Sequence, residues 1–157
     1  MNNILWKPSK KIIQKTNLYI LINTINSKYS LDLKSYHELY DWSIENIEEF
    51  WEVLWEETGI TYSQKYTSVV DDKFKMPGAR WFDDSKLNFA ENLLKYKNKN
   101  VAIEFYNENL AKKKITYLEL YNLVAKVSFF LKNIGLKKGD RVAGLMPNIP
   151  ETIICML

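Results

Sequence analysis

The chain has 157 residues, 46% of them apolar or aromatic, a formal charge of +3 and one cysteine. That length fits one domain, and the apolar share is enough to bury a core. Lone Cys155 excludes an intrachain disulfide, the scattered Lys and Arg argue against a nucleic-acid face, and no run approaches the roughly 18 apolar residues of a membrane span.

Residues 1–8 read as a loose arm with Trp6 as an anchor. Ser9 is placed to cap a helix running to about Ser27. Ile13, Leu18, Ile20, Leu21, Ile22 and Ile25 make that helix apolar on more than one side, so it needs burial on its own domain or a partner chain. Residues 18–25 follow Lys10, Lys11 and Lys15 and imitate a short signal-peptide core. Asn17, Asn23 and Thr24 interrupt it and no small-residue cleavage site follows, so a cytoplasmic protein is expected. Ser35 and Glu38 form a capping box that predicts a short helix over 36–40. His37 falls in its first turn, exposed, with no metal ligand at suitable spacing and no nucleophile nearby.

Ser43 is the expected cap of a helix over 44–58, closed by Gly59. Ile47, Phe50, Trp51, Leu54 and Trp55 share one face, and Glu45, Glu48, Glu49, Glu52, Glu56 and Glu57 take most of the rest. These carboxylates read as a solvated face rather than as general acids. Trp51 and Trp55, one turn apart, read as packing residues. A strand is expected over 66–70, then a turn-rich connection over 71–78, with Trp81 and Phe82 following a Pro-Gly turn. Asn88 with Glu91 starts a short helix ending near Tyr96. The polar turn KNKN at 97–100 is the candidate boundary between a helical leader and an α/β segment.

Residues 101–106 and 112–115 read as two strands of a hairpin joined by a turn over 107–111. Thr116 and Glu119 make a second capping box, opening a helix over 117–133. Leu120, Val124, Val127, Leu131 and Ile134 fall at i, i+4, i+7, i+11 and i+14, one apolar stripe. Gly135 closes the helix in a left-handed conformation. Residues 137–140 turn the chain, 141–146 read as a strand, and Pro147 stops it. The β-α-β crossover so formed is expected to be right-handed, in a sheet too small to cover its own edge and face. Asn148 is the expected cap of a last helix with Pro150 and Glu151 in its first turn. That helix has no polar closing turn, so its apolar surface is expected to stay exposed. It reads as the mark of a truncated or split gene.

Several of these stretches carry a family resemblance. ITYLEL followed by GLKKGDRVAGLMPNIPE resembles the start of the adenylating domain of acyl-CoA synthetases, in the adenylate-forming superfamily. GARWFDDSKLNFAENLL is similar to the opening segment of acetyl-CoA and acetoacetyl-CoA synthetases. The LNFAENLL form and the upstream WSIENIEEFWEVLWEETGI resemble the acetoacetyl-CoA synthetases most. The resemblance implies an α/β fold: an N-terminal helical leader followed by the first βαβ part of an AMP-binding domain, incomplete. It implies three stretches: an arm and helix over 1–34, an acyl-CoA synthetase N-terminal segment over 35–97, and the start of the adenylating domain over 98–157. For the full-length family it implies ATP, Mg²⁺ and CoA, with acetoacetate going to acetoacetyl-CoA, AMP and diphosphate.

None of the residues that handle this chemistry in the family has a counterpart here. The signature phosphate loop, the adenine-binding aromatic segment, the ribose-binding Asp, the hinge and the late catalytic Lys find no match. No catalytic, cofactor-binding or metal residue is therefore assigned, and no cofactor is expected on this chain alone. GLKKGD has glycines and lysines, but it joins a helix to a strand, the reverse of a phosphate cradle. The sequence lacks a Ser-His-Asp set, a CxxC and a paired-His helix. Cys155 in IICML reads as a packed thiol. Asp71–Asp72 and Asp83–Asp84 are acidic turns with too few ligands for a hard cation. Three readings stand: an N-terminal part of an acetoacetate–CoA ligase, inactive alone; a non-catalytic half that assembles with a separately encoded remainder; and an unrelated small α/β interaction module.

Overall fold

A computed structural model describes residues 5–109 and 111–157. Residues 1–4 of the expected arm, and Leu110 of the expected 107–111 turn, lie outside the described residues. The chain divides into two compact units, Met1–Leu87 and Asn88–Leu157.

The first unit is the helical leader. It holds α1 (Lys10–Ile13), α2 (Asn17–Tyr29), α3 (Tyr36–Glu45), α4 (Ile47–Glu57), β1 (Ser68–Val70) and β2 (Trp81–Asp83). The single helix expected after Ser9 is two helices. Ser9 Oγ does accept from the Ile12 amide, at 3.4 Å. Thr16 then interrupts: its Oγ1 donates to the Ile13 carbonyl at 2.8 Å and accepts from the Tyr19 amide at 3.2 Å. A hydroxyl that serves the backbone on both sides ends one helix and caps the next. The Ser35–Glu38 capping box forms as expected, but its helix continues to Glu45. Ser43 caps nothing, because its hydroxyl donates back to the Tyr40 carbonyl at 2.8 Å and stays within α3. The break falls at Asn46, with φ −117° and ψ 58°, whose Nδ2 donates to the Trp42 carbonyl at 3.1 Å.

Ile22 and Ile25 of α2, Leu39 of α3 and Val53 of α4 form the core of this unit. Ile25 and Val53 are its most deeply buried members, at 0% and 1% exposure. The apolar α2 thus docks within its own unit, leaving Leu18 and Ile20 exposed. Val53 lies outside the face expected for α4, since that helix buries two flanks. Its other flank carries Trp55, packed among Phe82, Tyr66 and Tyr62 with ring centroids 4.6, 5.1 and 5.7 Å away. Trp51 meets Trp81 edge-on at 5.8 Å. Both tryptophans therefore pack, as the sequence implied. β2 was not expected; it pairs antiparallel with β1, with Ser68 opposite Asp83 and Val70 opposite Trp81.

The second unit holds α5 (Phe89–Leu93), β3 (Val101–Tyr106), β4 (Lys112–Thr116), α6 (Tyr117–Asn133) and α7 (Pro150–Met156). Asn88 Oδ1 accepts from the Glu91 amide at 3.0 Å and starts α5, which stops at Leu93, short of Tyr96. β3 and β4 form the expected antiparallel hairpin, with Glu104 opposite Lys114. α6 closes in a full Schellman motif. The Leu136 amide donates to the Leu131 carbonyl at 3.1 Å, the Gly135 amide to the Lys132 carbonyl at 3.0 Å, and Gly135 has φ 96°. Leu94, Ile115, Leu120, Val124 and Ile154 are the core. Full burial of Leu120 or Val124 contributes about 1.5–3 kcal/mol each. Further along the same stripe burial fades, and Ile134 is exposed.

Residues 141–146 depart from the strand reading. No strand is formed there, and among the described residues their backbone groups pair with no other backbone. A strand exists only through its ladder, and no neighbour supplies one. The β and α elements are thus a hairpin, a helix, an unpaired segment and a second helix, following the helical leader. Asn148 does not cap α7; Ile149 stands at the N-cap, and the Thr152 hydroxyl donates to the Pro147 carbonyl at 2.6 Å. Cys155 is exposed rather than packed, because Ile154 is the residue that α7 turns into the core. The apolar surface expected to stay open does so in part, at Ile153 and Met156.

Candidate functional site

A concavity lies within the second unit, along the last turns of α6, the segment 142–146 and α7. It encloses about 700 Å³. Val127 and Leu131 of α6 form one wall, Val142 and Met146 the second, and Ile154 and Leu157 the third. The Schellman turn sets this shape: it reverses the chain after α6 and brings 142–146 alongside the helix it has just left. The apolar stripe of α6 runs past its buried members into the groove, which is why the wall is greasy.

The polar groups of the groove are few. Ser128, Lys132 and Thr152 line it, with the thiol of Cys155. Thr152 Oγ1 is already committed to the Pro147 carbonyl. Among the lining residues no carboxylate or imidazole side chain is present. One ammonium among aliphatic walls does not fit a nucleotide triphosphate, which needs converging backbone amides and cations. The lining suits apolar side chains.

The residues weighed from the sequence are dispersed. His37 is exposed and lies edge-on to the Tyr36 ring at 5.7 Å. Among the described residues no group of three or more His, Cys, Asp or Glu side chains could hold a metal ion. Most α4 carboxylates face solvent, but Glu52 and Glu56 share Lys28, at 3.4 and 2.9 Å. The Glu56 hydrogen bond holds the Lys28 ammonium above its ordinary range. Tyr66, whose hydroxyl reaches Glu52 Oε1 at 3.4 Å, is also pushed up, mainly by burial.

In GLKKGD the Asp140 carboxylate accepts from the Lys137 amide at 2.7 Å, so the loop's own side chain takes the amide a phosphate would need. The acidic turns are likewise turned onto their own loops. Asp71 Oδ1 accepts from the Arg80 and Asp72 amides, both at 2.8 Å, and the Arg80 amide is the main reason its carboxyl sits below the usual range. Asp83 pairs with Arg80 at 3.2 Å, and Asp84 accepts from the Thr67 hydroxyl at 3.0 Å. The groove-lining role of Val142 and Met146 was missed from sequence. The available signal was an apolar run, VAGLM, with no polar alternation to mark a solvent side.

Comparison with known proteins gives two family matches that overlap over residues 89–93. Residues 36–93 match the family described as acetyl-coenzyme A synthetase N-terminus, and residues 89–157 match the AMP-binding enzyme family. An acetoacetyl-CoA synthetase of Xenopus tropicalis is 41% identical over 98% of this chain and 23% of its own length. The solved acetoacetyl-CoA synthetase of Streptomyces lividans superimposes with a TM-score of 0.81 at 28% identity, over 99% of this chain and 24% of that one. The chain is homologous to the acetoacetyl-CoA synthetases of the AMP-binding superfamily.

The homology covers part of those proteins: the chain spans about 23% of the curated relatives it matches. The malonamoyl-CoA synthetase of Penicillium aethiopicum is also similar, 32% identical over 98% of this chain and 22% of its own length. Acyl-CoA synthetases named for different acids thus share this region. Among the described residues, no helix is long and apolar enough to cross a membrane.

Proposed function

We propose that this chain is the scaffold of the N-terminal part of an acetoacetate–CoA ligase. The complete ligase would join acetoacetate to AMP from ATP, with Mg²⁺, and pass the acyl group to the thiol of CoA, in the cytoplasm. The observation that carries the reading is the reach of the similarity. It runs through nearly the whole chain, including the helical leader before residue 36, at 41% identity to an acetoacetyl-CoA synthetase. The leader, the acyl-CoA synthetase segment and the opening of the adenylating domain are then consecutive parts of one enzyme. No step of the reaction is assigned to a residue of this chain; among the described residues no group of three or more His, Cys, Asp or Glu could hold a divalent cation.

The test is a chimera in which this chain replaces the matching region of the Xenopus tropicalis protein. Acetoacetate-dependent release of diphosphate should stay within about tenfold of the parent, with acetate and malonamate as competing acids. A soluble, folded chimera that releases none would overturn the reading; a preference for malonamate would move the substrate and keep the ligase. The 157-residue chain alone should release none with ATP and acetoacetate.

A second reading is favoured by the open apolar groove: the chain is a non-catalytic half that assembles with a separately encoded remainder. It predicts that the remainder of such an enzyme binds this chain when the two are made as separate polypeptides.

A further inference from the structure

We propose that the stretch from Leu5 to Lys15 is a docking surface for an anionic phospholipid membrane, on which the chain lies without crossing it. Lying on a bilayer and spanning one are different physical claims, and helix length bears only on the second. The inference goes beyond the ligase reading and does not depend on it.

Charge comes first. Residues 1–31 contain five lysines and no Asp or Glu, and all 19 acidic residues of the chain lie from Asp32 onward. The formal charge of +3 therefore hides a strong segregation. Lys28 is committed within the unit, since it bridges Glu52 and Glu56. Lys7, Lys10, Lys11 and Lys15 are exposed, and among the described residues none of them has an acidic partner. Lysines without any Arg suit a layer of phosphates that asks for point charges rather than a fixed fork.

The apolar side chains give the second argument and name the occupant. Leu5 and Trp6 precede these lysines, and Ile12 and Ile13 sit among them. Leu5 is 97% exposed, Trp6 72% and Ile12 53%. α1 buries none of its residues; its ends are held by the hydroxyls of Ser9 and Thr16, not by a core. Exposed apolar groups interleaved with cations are the composition of a segment that settles into a headgroup layer. Each lysine lays its aliphatic stem along the boundary and lifts its ammonium to a lipid phosphate, while the indole rests at headgroup depth. Nucleic acid is the rival polyanion. It would use the indole for stacking but gains nothing from Leu5, Ile12 and Ile13.

The experiment uses the full 157-residue chain and, as probe, phosphatidylcholine vesicles with and without about 30% phosphatidylglycerol. Partitioning should be at least about tenfold tighter to the anionic vesicles, and at least about tenfold weaker when salt rises from about 0.1 to 0.5 M. Lys7→Gln, Lys10→Gln, Lys11→Gln and Lys15→Gln together should weaken it by about a hundredfold or more. The same exchange at Lys99, Lys126, Lys137 and Lys138, exposed elsewhere, should change it by less than about threefold. Trp6→Ala should weaken it about tenfold and abolish the quenching of indole fluorescence by lipid brominated on its acyl chains. None of these side chains is buried, so circular dichroism should not change. Equal losses from the two lysine sets, quenching that survives Trp6→Ala, or no preference for anionic vesicles overturns the surface. A short RNA bound more tightly than the vesicles, with no dependence on Trp6, assigns the lysines to nucleic acid and overturns the lipid. If the isolated chain binds vesicles and the Xenopus tropicalis chimera does not, the rest of the enzyme covers this stretch, which overturns it too. Diphosphate release by that chimera is read separately, so its loss counts against the ligase reading and leaves the membrane surface standing.

Discussion

Thr116 and Glu119 each hold the other's backbone at the start of α6. Glu119 Oε2 accepts from the Thr116 amide at 2.8 Å, and Thr116 Oγ1 accepts from the Glu119 amide at 3.2 Å. Two of the donors that a helix leaves unsatisfied are met in one turn. Thr116→Ala should therefore destabilise the chain by about 1 kcal/mol in urea unfolding, and Thr116→Ser should recover most of it. An unchanged midpoint for the alanine variant would mean that β4, not the cap, fixes where α6 begins.

The same contact makes stability depend on acid. The Thr116 amide, helped by its hydroxyl, holds the Glu119 carboxyl below the ordinary glutamate range. Lys113 does the same to Glu151, and Lys114 to Glu104. A carboxyl whose folded value is depressed contributes fully above its unfolded value, about 4.3. That contribution is lost as pH falls through the folded value. The thermal midpoint should be insensitive to these groups from neutral pH to about 5 and fall below about 4.3. Glu119→Gln should flatten part of that fall, because the amide still accepts but does not titrate. A slope identical to that of the parent would remove Glu119 from the account.

Ile25 and Val53 anchor the leader. Ile25→Ala should cost about 2–5 kcal/mol, the range for emptying a well-packed aliphatic site. Chemical unfolding followed by tryptophan fluorescence reads this directly, since Trp55 sits on the same helix as Val53. A loss under about 1 kcal/mol would mean that the neighbouring helices close over the space.

Two glycines of the second unit should behave oppositely. Gly135, at φ 96°, has nothing within 4 Å of an added Cβ, so the cost of Gly135→Ala is conformational. About 1 kcal/mol is expected, from forcing an L-residue into the left-handed region. At Gly144 an added Cβ meets Met146 Sδ at 3.5 Å, an ordinary contact, and no positive φ is involved. Gly144→Ala should be neutral within about 0.5 kcal/mol. Equal losses at both sites in thermal denaturation would contradict the Schellman assignment.

What could be read from the sequence was what is local. Both capping boxes, the α6 stripe and the glycine after it depend on residues three or four apart. The β3–β4 hairpin needed only its own turn. The reading failed where a residue had two local choices or depended on a distant partner. Ser43 bonded backward to Tyr40 and left the break to Asn46; Thr16 split a helix that hydrophobic pattern alone would have continued. β2 exists only because β1 lies beside it, and Val53 is buried only because α2 and α3 meet on that flank. The groove was the least legible feature. An apolar run at 141–146 says that it belongs in a sheet, but not whether its neighbours are at hand.

α7 has seven residues, fewer than an isolated helix needs to persist in water. It is held by Ile154 in the core and by Glu151, whose carboxylate meets Lys113 of the hairpin at 2.6 Å. Its helicity is therefore borrowed from β4 and α6. Any shift in either would unwind these last two turns or so before the longer elements respond, which makes α7 an early gauge of how well the second unit is assembled.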